Sequence, residues 1–232
     1  GATGDATASG SFNLLAAGGS DSASLVVGVD TSTAGAKSGT ASIGLVSDGS
    51  GTSGLGQTAM AGQTVNVSGG VYRLAEATID NPLDFAFGNI HVGDTVNQAV
   101  SITNTAVSDV YSEKLNASFG GTSDARITTN GGSFNQLAAG ATDSSMEVGV
   151  DTSAAGIIGG TATLNFASDG TGTSGLGITG LPSQDLIVTA SISATAYNYA
   201  EATINTTQPV DFGNSRVGDV LSSQALSITN SA

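Results

Sequence analysis

One long internal repeat constrains this chain more than any other feature. Residues 27–56 and 148–177 are identical at 20 of 30 positions when they are aligned with an offset of 121. A second pair, FGNIHVGD at 87–94 and FGNSRVGD at 212–219, has an offset of 125, and loop insertions explain this drift. Solenoid repeats have periods of about 20–50 residues, so each unit here is predicted to be a whole domain. The chain is therefore expected to be a piece of a tandem array.

The repeat divides the chain into three parts. Residues 75–199 are predicted to be one complete unit, residues 1–74 the later part of a preceding unit, and residues 200–232 the opening strands of a following unit. We call these parts the complete unit, the head piece and the tail piece. The two end pieces together lack only the equivalent of residues 107–119, which is one connection and one strand. Each end piece is expected to expose an apolar sheet face and open strand edges.

Alternation of apolar and polar residues predicts short strands throughout the complete unit. The dipeptides of Asn130-Gly131-Gly132 indicate a hairpin turn, and no segment has a capped helical stripe. Eight or nine strands in about 120 residues are typical of an immunoglobulin-like sandwich. The predicted fold class is all-β, with tandem immunoglobulin-like antiparallel β-sandwiches. The predicted strands cover 83–87, 96–104, 115–119, 127–129, 134–137, 146–150, 162–166 and 186–192.

The same alternation assigns individual residues to the core or to the surface. Phe166 and Phe212 are expected in the core, where a change to alanine would cost roughly 3–5 kcal/mol. If Gly39 and Gly149 lie on exposed strand faces, valine is expected to do little harm at either position. These assignments can be checked directly against burial.

The composition is acidic and disfavours several classes of partner. The chain has 19 Asp and Glu against 5 Lys and Arg, which gives a net charge of −14. Binding to nucleic acid or to an anionic membrane surface needs clusters of basic residues, so neither is expected. No apolar run approaches the roughly 20 residues of a membrane span, and no membrane insertion is expected. The first residues do not read as a signal peptide, so any export signal or anchor is expected outside this chain.

The motif residues resemble a known family. FGN-x-x-VGD followed by SITN, at 87–94 and 101–104 and again at 212–219 and 227–230, and the GVDTS turn at 149–153 resemble the choice-of-anchor D repeats of bacterial exported proteins, with DFGNSRVGD at 211–219 as the most specific piece. The resemblance extends over the complete unit and both end pieces. The first copy differs by an inserted Ala-Phe before Gly88, and the usual Asn-x-Gly is replaced by Asn-Thr-Ala after the first SIT and Asn-Ser-Ala after the second. The resemblance implies immunoglobulin-like sandwiches, a secreted or surface location and a scaffold role without catalytic residues.

Groups that could carry catalysis are scarce. His91 is the only histidine, and its counterpart in the second copy is Arg216, so an exposed turn residue is expected there. The chain has no cysteine, and no GxSxG occurs in the strand-to-helix context that a nucleophile elbow needs. The protein is expected not to be an enzyme, with no catalytic residue and no cofactor.

Calcium is the one open question about a site. Asp48 and Asp169 each follow a strand and enter a Gly-rich loop, and they are weak calcium candidates. Calcium needs six to eight converging oxygen ligands, and each loop supplies one carboxylate. Asp is also an ordinary turn residue that binds its own backbone, so turn chemistry is expected and no metal site is assigned.

Two functional hypotheses follow from these patterns. The first is a non-enzymatic structural repeat of an extracellular or cell-surface protein, such as a filament, stalk or adhesin shaft. Its partner would be itself, head to tail, with the end pieces completed either by another copy or within one molecule. The alternative is a ligand-binding module for glycan or calcium in a secreted or surface adhesin. Four tyrosines could offer a sugar-stacking face but are expected to pack between consecutive units: Tyr72, Tyr111, Tyr197 and Tyr199.

Overall fold

The computed structural model describes residues 1–130, 132–181, 186–188 and 194–232. This part of the chain contains strands, turns and loops, and the prediction of an all-β fold is confirmed. The strands are β1 (Ala2–Gly4), β2 (Ala6–Ser9), β3 (Val26–Val29), β4 (Gly35–Asp48), β5 (Gln57–Val71), β6 (Ala77–Ile79), β7 (Gly88–His91), β8 (Asn97–Asn104), β9 (Lys114–Thr122), β10 (Ile127–Asn130), β11 (Ser133–Leu137), β12 (Thr142–Val150), β13 (Gly156–Ile158), β14 (Ala162–Asp169), β15 (Ile178–Gly180), β16 (Leu186–Val188), β17 (Ala194–Tyr197), β18 (Ala202–Ile204) and β19 (Ile228–Asn230).

Two antiparallel sheets enclose the core of the complete unit. One has the strand order β10-β12-β8-β6, and the other has the order β11-β9-β14 with β15 and β16 pairing different stretches of β14. The two sheets share one hydrophobic cluster, so they face each other across it. Its largest fully buried members from the first sheet are Val100, Ile102, Met146 and Val148, and those from the second are Leu115 and Leu164.

A third, smaller sheet departs from the purely antiparallel prediction. Its order is β13-β17-β7, and β17 pairs with β7 in parallel, from Ala194 opposite Gly88 to Tyr197 opposite His91. The parallel pair joins the two ends of the unit in sequence. It therefore closes the domain near the point where the tail piece begins.

The prediction of a strand at 83–87 is wrong. These residues form a loop, and β7 begins only at Gly88, where φ is +68°. Phe85 is buried in the core, whereas Leu83 is exposed. The alternation therefore comes from a loop that one buried phenylalanine anchors to the core, and not from a strand that is hydrogen-bonded in a sheet. Of the predicted strand at 186–192, residues 186–188 form β16, and 189–192 lie outside the described residues, as does Gly131 of the predicted turn.

Burial corrects two of the residue assignments. Phe166 is buried as expected, but Phe212 is 49% exposed within a single chain. Gly149 is buried, because β8 and β10 lie on either side of it in the sheet. A Cβ on Gly39 would lie 2.6 Å from the backbone nitrogen of Ala6. Valine is therefore not expected to be harmless at either glycine.

The end pieces repeat parts of the strand pairing of the complete unit. In the head piece β1, β4 and β5 form one sheet, and β2 and β3 form a separate pair. In the tail piece β18 pairs with β19. The register of β2 against β3, with Ala6 opposite Val29, repeats that of β10 against β12, with Ile127 opposite Val150.

Candidate assembly surfaces at the two end pieces

The head piece has an open slot where the complete unit has a strand. In the complete unit β9 lies between β11 and β14. In the head piece β1 corresponds to only the last part of β9, and it pairs Ala2 with Ala41. The edge of β4 that faces away from β5 therefore has no strand beside residues 43–48. A groove of about 1370 Å³ follows this edge, between residues 9–17 and 41–48.

The apolar residues around this slot are uncovered. Leu25, just before β3, and Val27 on β3 are 37% and 39% exposed, whereas their counterparts Met146 and Val148 on β12 are fully buried. In the complete unit β8 pairs along β12, and the sheet that contains β9 closes over its apolar face. The head piece lacks an equivalent of β8 and most of β9, so the same residue types remain in contact with water.

The tail piece already has the geometry of the strands that the head piece lacks. The backbone N–H of Glu201 donates to Asn230 Oδ1 at 3.0 Å, and that of Glu76 donates to Asn104 Oδ1 at 3.1 Å in the complete unit. The pairing of β18 with β19 likewise repeats that of β6 with β8. This pairing of β18 with β19, in which β19 corresponds to the last three residues of β8, is therefore formed before any partner covers it, whereas residues 223–227 are not in a strand.

The VGD turn is also preformed in the tail piece. The backbone N–H of Arg216 donates to Asp219 Oδ2 at 2.7 Å, as that of His91 does to Asp94 Oδ2 at 3.1 Å. Both turns follow the FGN motif. The hydrogen bond of the aspartate therefore explains why VGD recurs in both copies of the motif. The aspartate bonds the backbone three residues earlier and fixes the turn.

Asn104 shows what the tail piece is missing. This asparagine is fully buried, and its Nδ2 donates to the carbonyl of Leu137 at 3.1 Å and to that of Glu113 at 3.3 Å. The matching residue, Asn230, is exposed at the end of β19. The repeat places Leu15 of a head piece at the position of Leu137, so a head piece offers one of the two acceptors.

A buried carboxylate marks the start of β9. Glu113 is 2% exposed, and its two oxygens accept hydrogen bonds from the hydroxyls of Ser168, at 2.7 Å, and Ser174. Ser168 Oγ in turn accepts the backbone N–H of Ala75 at 2.8 Å. Among the described residues, the ion pairs do not include Glu113, so these hydroxyls are its partners.

The two calcium candidates lie in separate pieces, and each accepts hydrogen bonds from its own turn and from one strand side chain. Asp48 accepts from the Ser50 backbone N–H at 2.9 Å and from Gln57 Nε2 at 3.0 Å. The Gln57 hydrogen bond is the main cause that lowers the pKa of Asp48 to about 2. For Asp169 the pKa is lowered chiefly by the hydroxyl of Thr171. Turn groups bind one oxygen of each carboxylate, and a strand side chain binds the other, Gln57 for Asp48 and Asn116 for Asp169.

His91 and the tyrosines lie at the junctions between pieces. His91 ends β7, is exposed, and stacks on Tyr199 with ring centroids 4.1 Å apart and an angle of 11°. Tyr72 of the head piece packs against Tyr111 of the complete unit at 5.5 Å. This contact lies at the junction between the two pieces, where the sequence placed the tyrosines.

In the part of the chain that the structure describes, no group of three or more His, Asp or Glu residues could hold a metal ion. The described residues also contain no helix long and apolar enough to cross a bilayer. No protein-family model matches this chain, and no curated protein is similar enough to count as a relative.

Sequence reasoning missed the residues that define these surfaces. Glu113, Asn104 and Asn230 were not singled out as site residues. A signal was present, because Ser168 and Ser174 recur as Ser47 and Ser53 in the head piece. Only the structure shows that this pair of serines holds a carboxylate from another strand.

Proposed function

We propose that this chain is a non-enzymatic structural repeat of an extracellular or cell-surface protein, such as a filament, stalk or adhesin shaft. Consecutive copies join head to tail, because the tail piece of one copy and the head piece of the next together supply all but one strand of an immunoglobulin-like sandwich. The observation that carries the proposal is the match between the short β18–β19 pair of the tail piece and the uncovered strand β3 of the head piece. The sequence resemblance supports the location.

The complete unit supplies the register of the proposed joint. There β8 lies beside β12 with Ala99 opposite Glu147 and Val100 opposite Met146. Transferring these pairs by the repeat places Ala225 opposite Val26 and Leu226 opposite Leu25. Leu25, Val26 and Leu226 are all exposed in the single chain. Their burial at the joint supplies the hydrophobic driving force, since buried apolar area stabilises at about 25 cal/mol per Å².

The total exposed surface supports an incomplete state for the single chain. Its accessible surface is 13987 Å². A compact globule of this mass would expose roughly 9,400 Å². The excess is larger than the roughly 1,200–2,000 Å² that stable protein interfaces bury. The single chain therefore has more than enough uncovered area for a head-to-tail joint.

Disulfide trapping tests the joint directly, because the chain has no cysteine of its own. Residues directly opposite in an antiparallel pair have Cα atoms about 4.5–5.5 Å apart, which a disulfide can bridge. We expect the double variant Val26→Cys/Ala225→Cys to form a ladder of covalent oligomers under mild oxidation. The matched control, Val26→Cys/Leu226→Cys, shifts the register by one residue and is expected to cross-link poorly.

Two outcomes would overturn the proposal. Equal cross-linking in both variants would show that the register is not specific. A cross-linked product that stays monomeric would show that the tail closes on the head piece of its own molecule. Electron microscopy of the oxidised and wild-type proteins then shows whether the oligomers are linear fibres.

A further inference from the structure

We infer that the complete unit carries a docking surface for the segment that enters it from the preceding unit, and that this surface holds the two units in one fixed orientation. The segment is residues 72–76, between β5 and β6, which we call the linker. The docking surface is formed by residues 109–113 and by the side chains of Asn104 and Ser168. The inference goes beyond the proposed function, because it concerns two units of one chain and needs no second copy.

In the linker, Arg73 pairs with the segment before β9 as a residue does in a sheet. Its backbone N–H donates to the carbonyl of Tyr111 at 2.7 Å, and its carbonyl accepts the N–H of Glu113 at 3.0 Å. These two bonds form a parallel bridge with Ser112. The guanidinium Nη1 also donates to Asp109 Oδ2 at 2.7 Å, in an ion pair whose side chains are 36% and 35% exposed. Arg73 is therefore held by its backbone and its side chain together.

The following linker residues are bound to strands of the complete unit. Ala75 is 2% exposed and belongs to the core cluster, and its N–H donates to Ser168 Oγ at 2.8 Å. The N–H of Glu76 donates to Asn104 Oδ1 at 3.1 Å, and its carbonyl accepts the N–H of Thr105 at 2.7 Å. A flexible linker needs peptide groups that are free to rotate. Hydrogen bonds at three of the five linker residues remove this freedom.

The buried carboxylate of Glu113 connects these contacts. Its two oxygens accept the hydroxyl protons of Ser168, at 2.7 Å, and Ser174. A hydroxyl that donates its proton to a carboxylate keeps its lone pairs for another donor. Glu113 therefore orients Ser168 Oγ so that it accepts the N–H of Ala75, while the backbone N–H of Glu113 binds the carbonyl of Arg73. Glu113 is thus a positioning residue for the linker at both of these points.

Two tyrosine rings add a side-chain contact across the junction. Tyr72 follows the last residue of β5, at the end of the head piece, and Tyr111 belongs to the docking surface. Their ring centroids are 5.5 Å apart and their planes are tilted by 52°, within the range that aromatic pairs prefer. A bend of the head piece about the linker would have to separate these rings and the ion pair of Arg73 with Asp109. The contacts therefore oppose bending, and the two consecutive units form a stiff pair.

Distances between spin labels measure the stiffness of this junction in the full 232-residue chain. Because the chain has no cysteine, Thr64→Cys in the head piece and Ser144→Cys in the complete unit, both at exposed positions, place one label on each unit. Labelled protein is diluted with unlabelled protein, so that contacts between copies do not contribute. We expect one narrow distance distribution by double electron–electron resonance.

A proline in the linker should loosen the junction. Arg73→Pro removes the N–H that binds Tyr111, and it should widen the distance distribution roughly twofold. The matched control is Asn198→Pro, at the residue that corresponds to Arg73 in the next copy of the repeat, and it should leave the distribution unchanged. Equal widths with and without Arg73→Pro would overturn the inference.

Hydrogen exchange tests the role of Glu113 separately. The Ala75 amide should be protected in the wild-type chain, and Glu113→Gln should reduce this protection roughly tenfold, because Ser168 then no longer donates to a charged group. The amide of Val148, in the opposite sheet, should change little, whereas a general loss of stability would lower the protection of both amides equally. An unprotected Ala75 amide in the wild-type chain, or an equal change at the two amides, would overturn the role of Glu113. Failure of the disulfide ladder together with a narrow spin-label distribution would overturn the head-to-tail joint and leave this docking surface standing.

Discussion

Two segments with the same opening sequence behave differently in this molecule. Residues 133–137 form β11, whereas residues 11–15, which also begin Ser-Phe-Asn, form no strand. Both have the same positive-φ kink, at Gln136 and Leu14. The difference is the neighbour, because β9 lies beside 133–137 and most of its equivalent is missing beside 11–15. Local sequence therefore shapes the backbone, and a partner strand turns that shape into a sheet.

Core packing should show the largest difference between the two regions. Leu164 is fully buried in the complete unit, and its counterpart Ile43 is only partly buried beside the open slot. We expect Leu164→Ala to destabilise the complete unit by about 3–5 kcal/mol, because it leaves a cavity. Ile43→Ala should cost less than about 1 kcal/mol in the single chain, since little apolar area is lost. Urea unfolding of both variants measures this, and equal losses would contradict the comparison.

A pair of matching glycines tests the effect of adding a side chain instead of removing one, and the expected loss of stability is smaller. A Cβ on Gly149 would lie 2.6 Å from the carbonyl oxygen of Val96 and 2.9 Å from Thr128 Oγ1. A Cβ on the matching Gly28 would meet only Thr7 Oγ1, at 2.9 Å. We expect Gly149→Val to cost about 1–3 kcal/mol through overpacking, and Gly28→Val to cost clearly less.

The glycine comparison becomes sharper in the assembled state. Gly28 corresponds to the position that β8 covers in the complete unit, so a valine there would obstruct the tail hairpin of the next copy. The Gly28→Val variant should therefore give fewer oligomers by light scattering while its melting temperature stays near that of the wild type. If it assembles normally, the proposed joint is wrong at this position.

The repeat period predicts how the chain divides into units. It does not predict which side chains of different strands contact each other. Alternation at residues 115–119, 146–150 and 162–166 identified three core strands, since each has one buried face. It failed at 83–87, because one buried ring in a loop produces the same alternation as a strand. Glu113 was not found either, since its two partners lie about 55 and 61 residues further along the chain.

The sequence also does not show how one copy accommodates a residue of different chemistry at a core position of the other. Lys37 is buried at the position where the complete unit has the core residue Ile158. Its amine donates to Thr33 Oγ1 at 2.8 Å and lies 3.4 Å from Asp5 Oδ1. A buried lysine needs such partners, and alignment alone does not reveal them. The two copies therefore share a backbone plan while they differ in local chemistry.

Acid titration should separate the two turn aspartates. The pKa of Asp48 is lowered to about 2, with the hydrogen bond from Gln57 as the largest cause. The unfolded chain has an ordinary aspartate pKa near 3.9, so it binds more protons between these values. The contribution of Asp48 to stability is therefore present above about pH 4 and is lost as the pH falls toward 2. Gln57→Ala should raise the pKa of Asp48 and leave that of Asp169 unchanged in an NMR titration.

Calcium should have the smallest effect of all. The loops of Asp48 and Asp169 each offer one carboxylate, and both oxygens of each already accept hydrogen bonds from nearby side chains or backbone. A calcium ion would need six to eight oxygen ligands and would have to displace these bonds. We expect no measurable change in melting temperature between millimolar calcium and chelator, and no heat of binding by calorimetry. A rise of several degrees, abolished by Asp48→Asn or Asp169→Asn, would instead favour the ligand-binding module and would show which of the two pieces holds the ion.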